Sequence, residues 1–347
     1  MKKIPFNKIN IQGNEALYIQ KVFDSGHLSG DGGFTLLCNK LIEEELGIKK
    51  AMLTTSCTHA LELSAILLNL KSGDEVIVPS FTFVSTVNSF VLYGAKPVFI
   101  DIRPDTLNID ETKLESLITK KTKAIILVHY AGVGCEMDTI MKIANRYGIH
   151  VIEDNAHGLF GKYNGQYLGT FGTFATQSFH ETKNITCGEG GALLINDKNY
   201  IERAEIIREK GTDRSRFFRG EIDKYTWVDK GSSYLPSDIL AAFLFAQLEQ
   251  WKKIQSKRKK IWNYYYDNLD DWALQNDVRL PTIPKYCEQT YHMFYLIMPS
   301  LENRTALIKH MKKNCITATF HYLPLHLSDM GKKYSKSEND YPVTNNL

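Results

Sequence analysis

The sequence predicts an α/β protein whose mostly parallel sheet lies between layers of helices. Two observations carry this. Short apolar runs alternate with helical patterns through the first two thirds of the chain, and from Ser237 onward the strands give way to long helix. The 347 residues, 43% hydrophobic and 23% charged, supply ample material for a large core, and the length suggests about two domains.

In chain order, EVIVPS (75–80), KPVFIDI (96–102), KAIILVHY (123–130) and HVIEDNAH (150–157) read as buried strands. THALELSAILLNL and MDTIMKIANRYG separate them as helices, and Gly148 is placed to stop the second. Ala192 to Asn196 follow a GEGG turn as a further strand. SDILAAFLFAQLEQWKKIQSKRKKIWNYYYDNL is expected to be one long helix capped by Ser237 or Asp238. Beyond Pro281, YHMFYLIM and TATFHYLPL read as strands around the helix ENRTALIKHMKKN. The expected organisation is a large α/β domain over 1–249 and a smaller α+β domain over 250–347.

A net charge of +3 is too small to argue for nucleic acid, and the basic run KKIQSKRKK has no interleaved aromatic platform, so it reads as a solvated helix face. No apolar run approaches the roughly 18 residues of a membrane span, and MKKIPFNKIN lacks the apolar stretch of a signal peptide. The six cysteines are scattered without a CxxC pair, so neither a zinc site nor a disulfide framework is expected, and a reducing cytoplasm is the default location. The two histidines of HYLPLH lack HExxH spacing, and no metal is expected.

Three features could carry chemistry. Asp154 ends the apolar strand HVIED, where active groups of parallel sheets gather; alone it could equally be a helix cap or a surface acid. TTSCTHAL (54–61) places small hydroxylated residues before an apolar helix, which describes a phosphate site or simple N-capping. GEGG is neither GxGxxG nor a P-loop. Lys183, in SFHETKNITCGEGGAL, sits on a tight loop among small polar residues. Together, in the order phosphate, Asp, Lys, these match the needs of pyridoxal 5′-phosphate. That cofactor requires a lysine able to lose its proton, a buried carboxylate that keeps a ring nitrogen protonated, and N–H and hydroxyl donors for its phosphate.

The constellation resembles the DegT/DnrJ/EryC1/StrS sugar-nucleotide aminotransferases. More narrowly, SFTFVSTVNSFVLYGAKPVF, RPDTLNIDET, VHYAGVGCEMDTIM, SFHETKN and IERAEIIREKGTDRSRFFRGEIDKYTWVDKGSSYLPSD resemble the members that aminate dTDP-4-keto-6-deoxy-D-glucose to dTDP-4-amino-4,6-dideoxy-D-galactose for surface polysaccharide. The agreement runs from about residue 5 to the end of the chain. It implies the type I (aspartate aminotransferase-like) fold, with a mostly parallel seven-stranded sheet. Relatives usually continue past Leu347 through an Arg-Leu-Pro segment and a last helix, so this chain is expected to lack the family's final segment.

By the same resemblance Lys183 is the lysine that holds the cofactor and Asp154 the partner of its ring nitrogen. Phe83 stacks on the ring, and Cys57, Thr58 and Ser178 hold the phosphate. His157 stands where many members have Gln against the phenolic oxygen. Ser233, in GSSYLPSD, replaces an Asn that reaches the neighbouring subunit's cofactor phosphate, which implies a homodimer with shared sites. Substrate contacts are expected from Asp31 of LSGDGG, from Arg214, Arg216 and Arg219 toward a nucleotide diphosphate, and from His321 and Tyr322; for the arginines a surface-charge reading stays equally open. The implied reaction has two halves: L-glutamate gives its amino group, pyridoxamine phosphate stands between the halves, and a nucleotide-linked keto sugar receives the group. A related C3 transaminase, one giving the other C4 epimer, or a non-catalytic cofactor-binding relative remain alternatives. An NAD-dependent sugar oxidoreductase would need a GxGxxG that is missing, and the family's dehydratases replace the lysine by His, whereas Lys183 is present.

Overall fold

The computed structural model describes residues 3–11, 13–335 and 337–347. Helices α1 (Glu15–Ser25) and α2 (Gly33–Leu46) lead into β1 (Lys50–Thr54), α3 (Cys57–Leu67), β2 (Glu75–Pro79), α4 (Ser85–Val91), β3 (Lys96–Ile100), α5 (Leu114–Leu117), β4 (Thr122–Val128), α6 (Met137–Tyr147) and β5 (His150–Asp154). Two-residue strands β6 (Lys162–Tyr163) and β7 (Gln166–Tyr167) precede β8 (Phe174–Ser178) and β9 (Gly191–Ile195). Helices α7 (Ile201–Arg208), α8 (Arg214–Phe218), α9 (Asp238–Glu249) and α10 (Trp251–Gln275), strand β10 (Cys287–Glu288), α11 (Leu301–Lys313) and α12 (Pro342–Asn345) complete the chain.

The main sheet has seven strands in the order β1-β9-β8-β5-β4-β2-β3. Only β9 runs against its neighbours; the β8-β5-β4-β2-β3 pairings are all parallel. Strand side chains alternate between two cores. Ala124, Ile126 and Ile152 pack toward α3 and α4, whereas Ile125, Leu127 and Val151 pack toward α6. A third core holds α2 and α9 against the outer face of β1 and β9. Apolar residues on both faces explain why these strands read as continuous hydrophobic runs. Gly148, at φ 63°, does end α6.

Two sequence expectations are corrected. The stretch from Ser237 is two helices, broken at Gln250 (φ −104°, ψ 11°). The buried, apolar α9 stops there because Trp251 turns to stack on Phe160, 4.2 Å between ring centres, and α10 continues as a largely exposed helix. YHMFYLIM and TATFHYLPL form no ladder among the described residues; the first has the isolated bridge Arg279–Ile297, and the bridge Ile4–Ile316 lies just before the second. The period of two is met, since Met293, Tyr295 and Ile297 all pack toward Phe81 and Tyr130. The carbonyls of residues 291–293, however, are taken by side chains of α10 instead of by a neighbouring strand.

The last segment returns to the sheet. Asp101, just past β3, accepts from the backbone N–H groups of Val343 and Thr344 and from the Thr344 hydroxyl. Buried His326 bonds Ser80 at the end of β2. No helix of the described residues is long and apolar enough to cross a membrane, and all six cysteines are free.

Candidate active site

Strand register gathers the candidate residues at one end of the sheet. Thr54, Gly191 and Ser178 share a rung across β1, β9 and β8, and Asp154 shares one with Thr176 and Val128. Helix α3 starts three residues after Thr54. Ser56 caps it by accepting from His59 N–H (3.1 Å), leaving the first-turn N–H groups of Cys57 and Thr58 without helical partners. This start packs directly on β9: a Cβ added to Gly191 would lie 2.3 Å from the Ser56 carbonyl carbon and 2.4 Å from the Cys57 nitrogen. The second glycine of the GG pair therefore lets a helix N-terminus rest on the strand. The hydroxyl of Thr58 bonds that of Ser85 (2.9 Å), and Ser178 stands on the rung of Gly191.

Lys183 rides on the β8–β9 loop, which is closed by bonds from Glu181 N–H to Gly188 O (2.8 Å) and from Lys183 N–H to His180 O (2.9 Å). Its amine makes no hydrogen bond or ion pair among the described residues. Burial pushes its pKa down, and nearby Cys57 and Asp154 only partly oppose that. The residue as a whole is half-buried. An enclosed amine with no hydrogen-bonded partner is what an aldehyde-holding lysine requires.

Asp154 is buried. Burial raises its pKa, while a bond from the Thr86 hydroxyl (2.7 Å), one from Ala156 N–H (3.2 Å) and the charge of Lys183 favour the carboxylate. Three imidazoles face the same space. Burial first, then the charge of Lys183, depresses the pKa of His157, His292 and His321, so all three stand neutral near pH 7. His157 Nδ1 is buried without a partner, a polar atom held toward something the protein alone does not provide. Arg258, drawn down to about 10 by burial, pairs with no carboxylate among the described residues. Its guanidinium donates to the carbonyls of Tyr291 and His292. The unpaired amine, the orphan imidazole nitrogen and the free helix N–H groups thus fit the aldehyde, phenolic oxygen and phosphate of pyridoxal phosphate.

The structure brings Cys57, Thr58, Asp154, His157, Ser178, Lys183, His321 and Tyr322 together. His321 stacks on Tyr322 (4.3 Å), and its Nδ1 lies 3.4 Å from the Tyr130 hydroxyl. Phe83 is exposed at the mouth, 6.4 Å from the Tyr322 ring. The remaining candidates are engaged elsewhere. Asp31 (φ 59°) meets Arg208 through both carboxylate oxygens, at 2.6 and 2.7 Å. Arg214, Arg216 and Arg219 of the α8 segment zip onto Glu209, Glu202 and Glu205 of the α7 segment. All three are partly exposed in these ion pairs. Ser233 is exposed, its backbone bridging Glu209.

Sequence reasoning missed Thr86, Asn184 and His292. Thr86 lies within SFTFVST, in the first turn of α4, but only the fold aims it at Asp154. Asn184 adjoins Lys183; nothing local marks His292.

The sequence profile of the DegT/DnrJ/EryC1/StrS aminotransferase family matches residues 10–347. The chain belongs to this family. Its enzymes use pyridoxal phosphate. The GDP-perosamine synthase of Escherichia coli O157:H7 is 32% identical over 348 residues, spanning 100% of this chain and 91% of that one. The GDP-perosamine synthase of Caulobacter vibrioides is 35% identical over 284 residues, 82% and 74% of the two chains. The sugar aminotransferase Spr1654 of Streptococcus pneumoniae, solved in its pyridoxamine phosphate form, superposes with a TM-score of 0.89 at 27% identity, covering 99% of this chain and 91% of that one. The protein is a pyridoxal-phosphate-dependent sugar aminotransferase of the type I fold.

Proposed function

We propose that the protein moves an amino group from L-glutamate to the keto carbon of a nucleotide-linked 4-keto-6-deoxy sugar. The observation that carries the reading is the enclosed, unpaired amine of Lys183 set between Asp154 and the N-terminus of α3. Bound there, pyridoxal phosphate supplies the electron sink that lets an amino group leave one carbon and join another. In this reading Cys57 and Thr58 N–H groups, with the hydroxyls of Thr58 and Ser178, hold its phosphate. Asp154 keeps a proton on the ring nitrogen, His157 meets the phenolic oxygen, and Phe83 covers the ring face. The Lys183 amine removes the proton from the donor's α-carbon and later delivers one to the sugar carbon, as base and then acid.

Sequence resemblance supports dTDP-4-keto-6-deoxy-D-glucose as acceptor, with dTDP-4-amino-4,6-dideoxy-D-galactose as product for surface polysaccharide; the names of the curated relatives support a GDP-linked sugar. His321 and Tyr322 are proposed to face the sugar. Exposed Ser233 and Phe83 fit a homodimer in which each subunit completes the other's site. The test is incubation of purified protein with glutamate and a panel of dTDP- and GDP-linked 3-keto and 4-keto sugars, with product stereochemistry read by NMR. Formation of 2-oxoglutarate with a 4-amino sugar supports the reading. Amination at C3, or none with any nucleotide, overturns it.

A further inference from the structure

The segment Thr290–Met293 is held more elaborately than a surface connection needs. Gln255, Arg258 and Trp262 lie on one face of α10 at helical spacing, and all three engage this segment or what binds it. Arg258 Nε donates to Tyr291 O (3.1 Å), and its guanidinium also reaches His292 O. Trp262 Nε1 donates to Met293 O (3.1 Å). Tyr291 has φ 54°, a left-handed conformation unfavourable for a bulky side chain, which persists only where its surroundings over-determine it. The result is that the His292 ring lies flat on that of His157, 4.2 Å between centres and 21° between planes.

Asn184, next to Lys183, fixes the hydrogen on His292. Both hydrogens of its amide are committed, to Thr290 O (2.7 Å) and Gln255 Oε1 (2.9 Å), so its oxygen is the acceptor and His292 Nδ1–H donates to it (3.0 Å). Thr290 closes the circuit by donating its hydroxyl to His157 O (2.6 Å) and its N–H to Gly132 O (3.2 Å). There is no room for change at Gly132, where a Cβ would fall 1.8 Å from Thr290 Oγ1.

We propose that His292, locked by Asn184, is a positioning residue that holds the His157 ring and the Lys183 loop in one fixed arrangement. The residue after the lysine thus ties the loop to α10, and the C-terminal part of the chain helps build the site. The charged and titratable groups around His292 are Lys183 from the β8–β9 loop, Arg258 from α10, His321 from the 317–325 segment and His157 after β5. None is a carboxylate, so burial and the neighbouring Lys183 and Arg258 charges disfavour a protonated His292. This inference rests on the reading of the pocket as a pyridoxal-phosphate site, and its test begins without the cofactor.

The experiment uses cofactor-free protein labelled with 15N at histidine. Three variants are compared with the parent: Asn184→Ala, His292→Phe, which keeps a ring but no donor, and His292→Asn, which keeps a donor but no ring. In the parent, His292 should read as the Nδ1–H tautomer and His157 as a single environment. Asn184→Ala should populate both His292 tautomers and split or broaden the His157 signal. The dissociation constant for pyridoxal phosphate should rise about tenfold in Asn184→Ala and His292→Phe, and kcat should fall about tenfold with KM for glutamate within about twofold. His292→Asn should restore the single His157 environment only in part. If a ring-changing variant does not fold, the Asn184→Ala signals decide. Unchanged His157 signals and unchanged pyridoxal phosphate affinity in the folded variants would overturn the proposal. A parent that binds no pyridoxal phosphate would instead sink the cofactor reading and leave the imidazole signals to judge the positioning.

Discussion

Lys183 and Asp154 are pushed in opposite directions by one pocket. Burial favours the neutral form of each, toward free amine and toward carboxylic acid, and only Asp154 has bonds that restore its charge. Lys183→Ala should reduce turnover by at least ~10²–10⁴-fold, the range of a lost proton-transfer group, measured by 2-oxoglutarate release. Thr86→Val removes the hydroxyl that favours the Asp154 carboxylate, so the Asp154 pKa rises further. The acid limb of the kcat–pH profile should then move to higher pH and kcat fall about tenfold or more, the effect of one hydrogen bond to a charged group. A limb that stays put or moves to lower pH would show that Thr86 does not support the charge. Asp154 was singled out in the sequence because it ends a recognisable strand, and Lys183 because it sits on a tight loop of small polar residues before the GEGG turn. Asn184 and His292 were not, because their roles depend on contacts spanning 108 residues, and the period-two pattern around His292 pointed to a strand.

Elements position these residues through register. One rung carries Thr54, Gly191 and Ser178, and the same glycine admits the start of α3. Gly191→Ala should displace that start, costing about 1–3 kcal/mol in urea unfolding, as overpacking does. Pyridoxal phosphate binding should weaken with it, whereas Gly165→Ala, where an added Cβ meets nothing within 4 Å but the φ of 80° is strained, should affect stability without that loss. Five of the seven strands of the large sheet were legible from apolar runs, whereas β1 and β8 were not singled out. The break at Gln250 was not, since Gln is a good helix former and the turn is dictated by Trp251 stacking on Phe160. For the three arginines near α8 a phosphate site and surface charge stood equally open in one dimension; the carboxylates that meet them are Glu202 and Glu205 on α7, Glu209 just past its end, and Glu221 after α8.

At the scale of the molecule, the C-terminal segment closes back on the sheet through Asp101. Burial alone would raise the pKa of this carboxyl, but the bonds from Thr344 and Val343 bring it below the ordinary aspartate value. A depressed folded-state pKa stabilises the fold above the unfolded value, near pH 4, and the contribution fades as pH falls further. Asp101→Ala should cost about 1–3 kcal/mol at pH 7, and the gap in Tm between it and the parent should narrow on acidification below about pH 4. The central claim, that one amine of this chain holds the cofactor, has a more direct test. Protein loaded with pyridoxal phosphate is treated with borohydride, digested and mapped by mass spectrometry. A single pyridoxyl label on Lys183, absent from Lys183→Ala, is the expected result; a label on another lysine, or none, would contradict it.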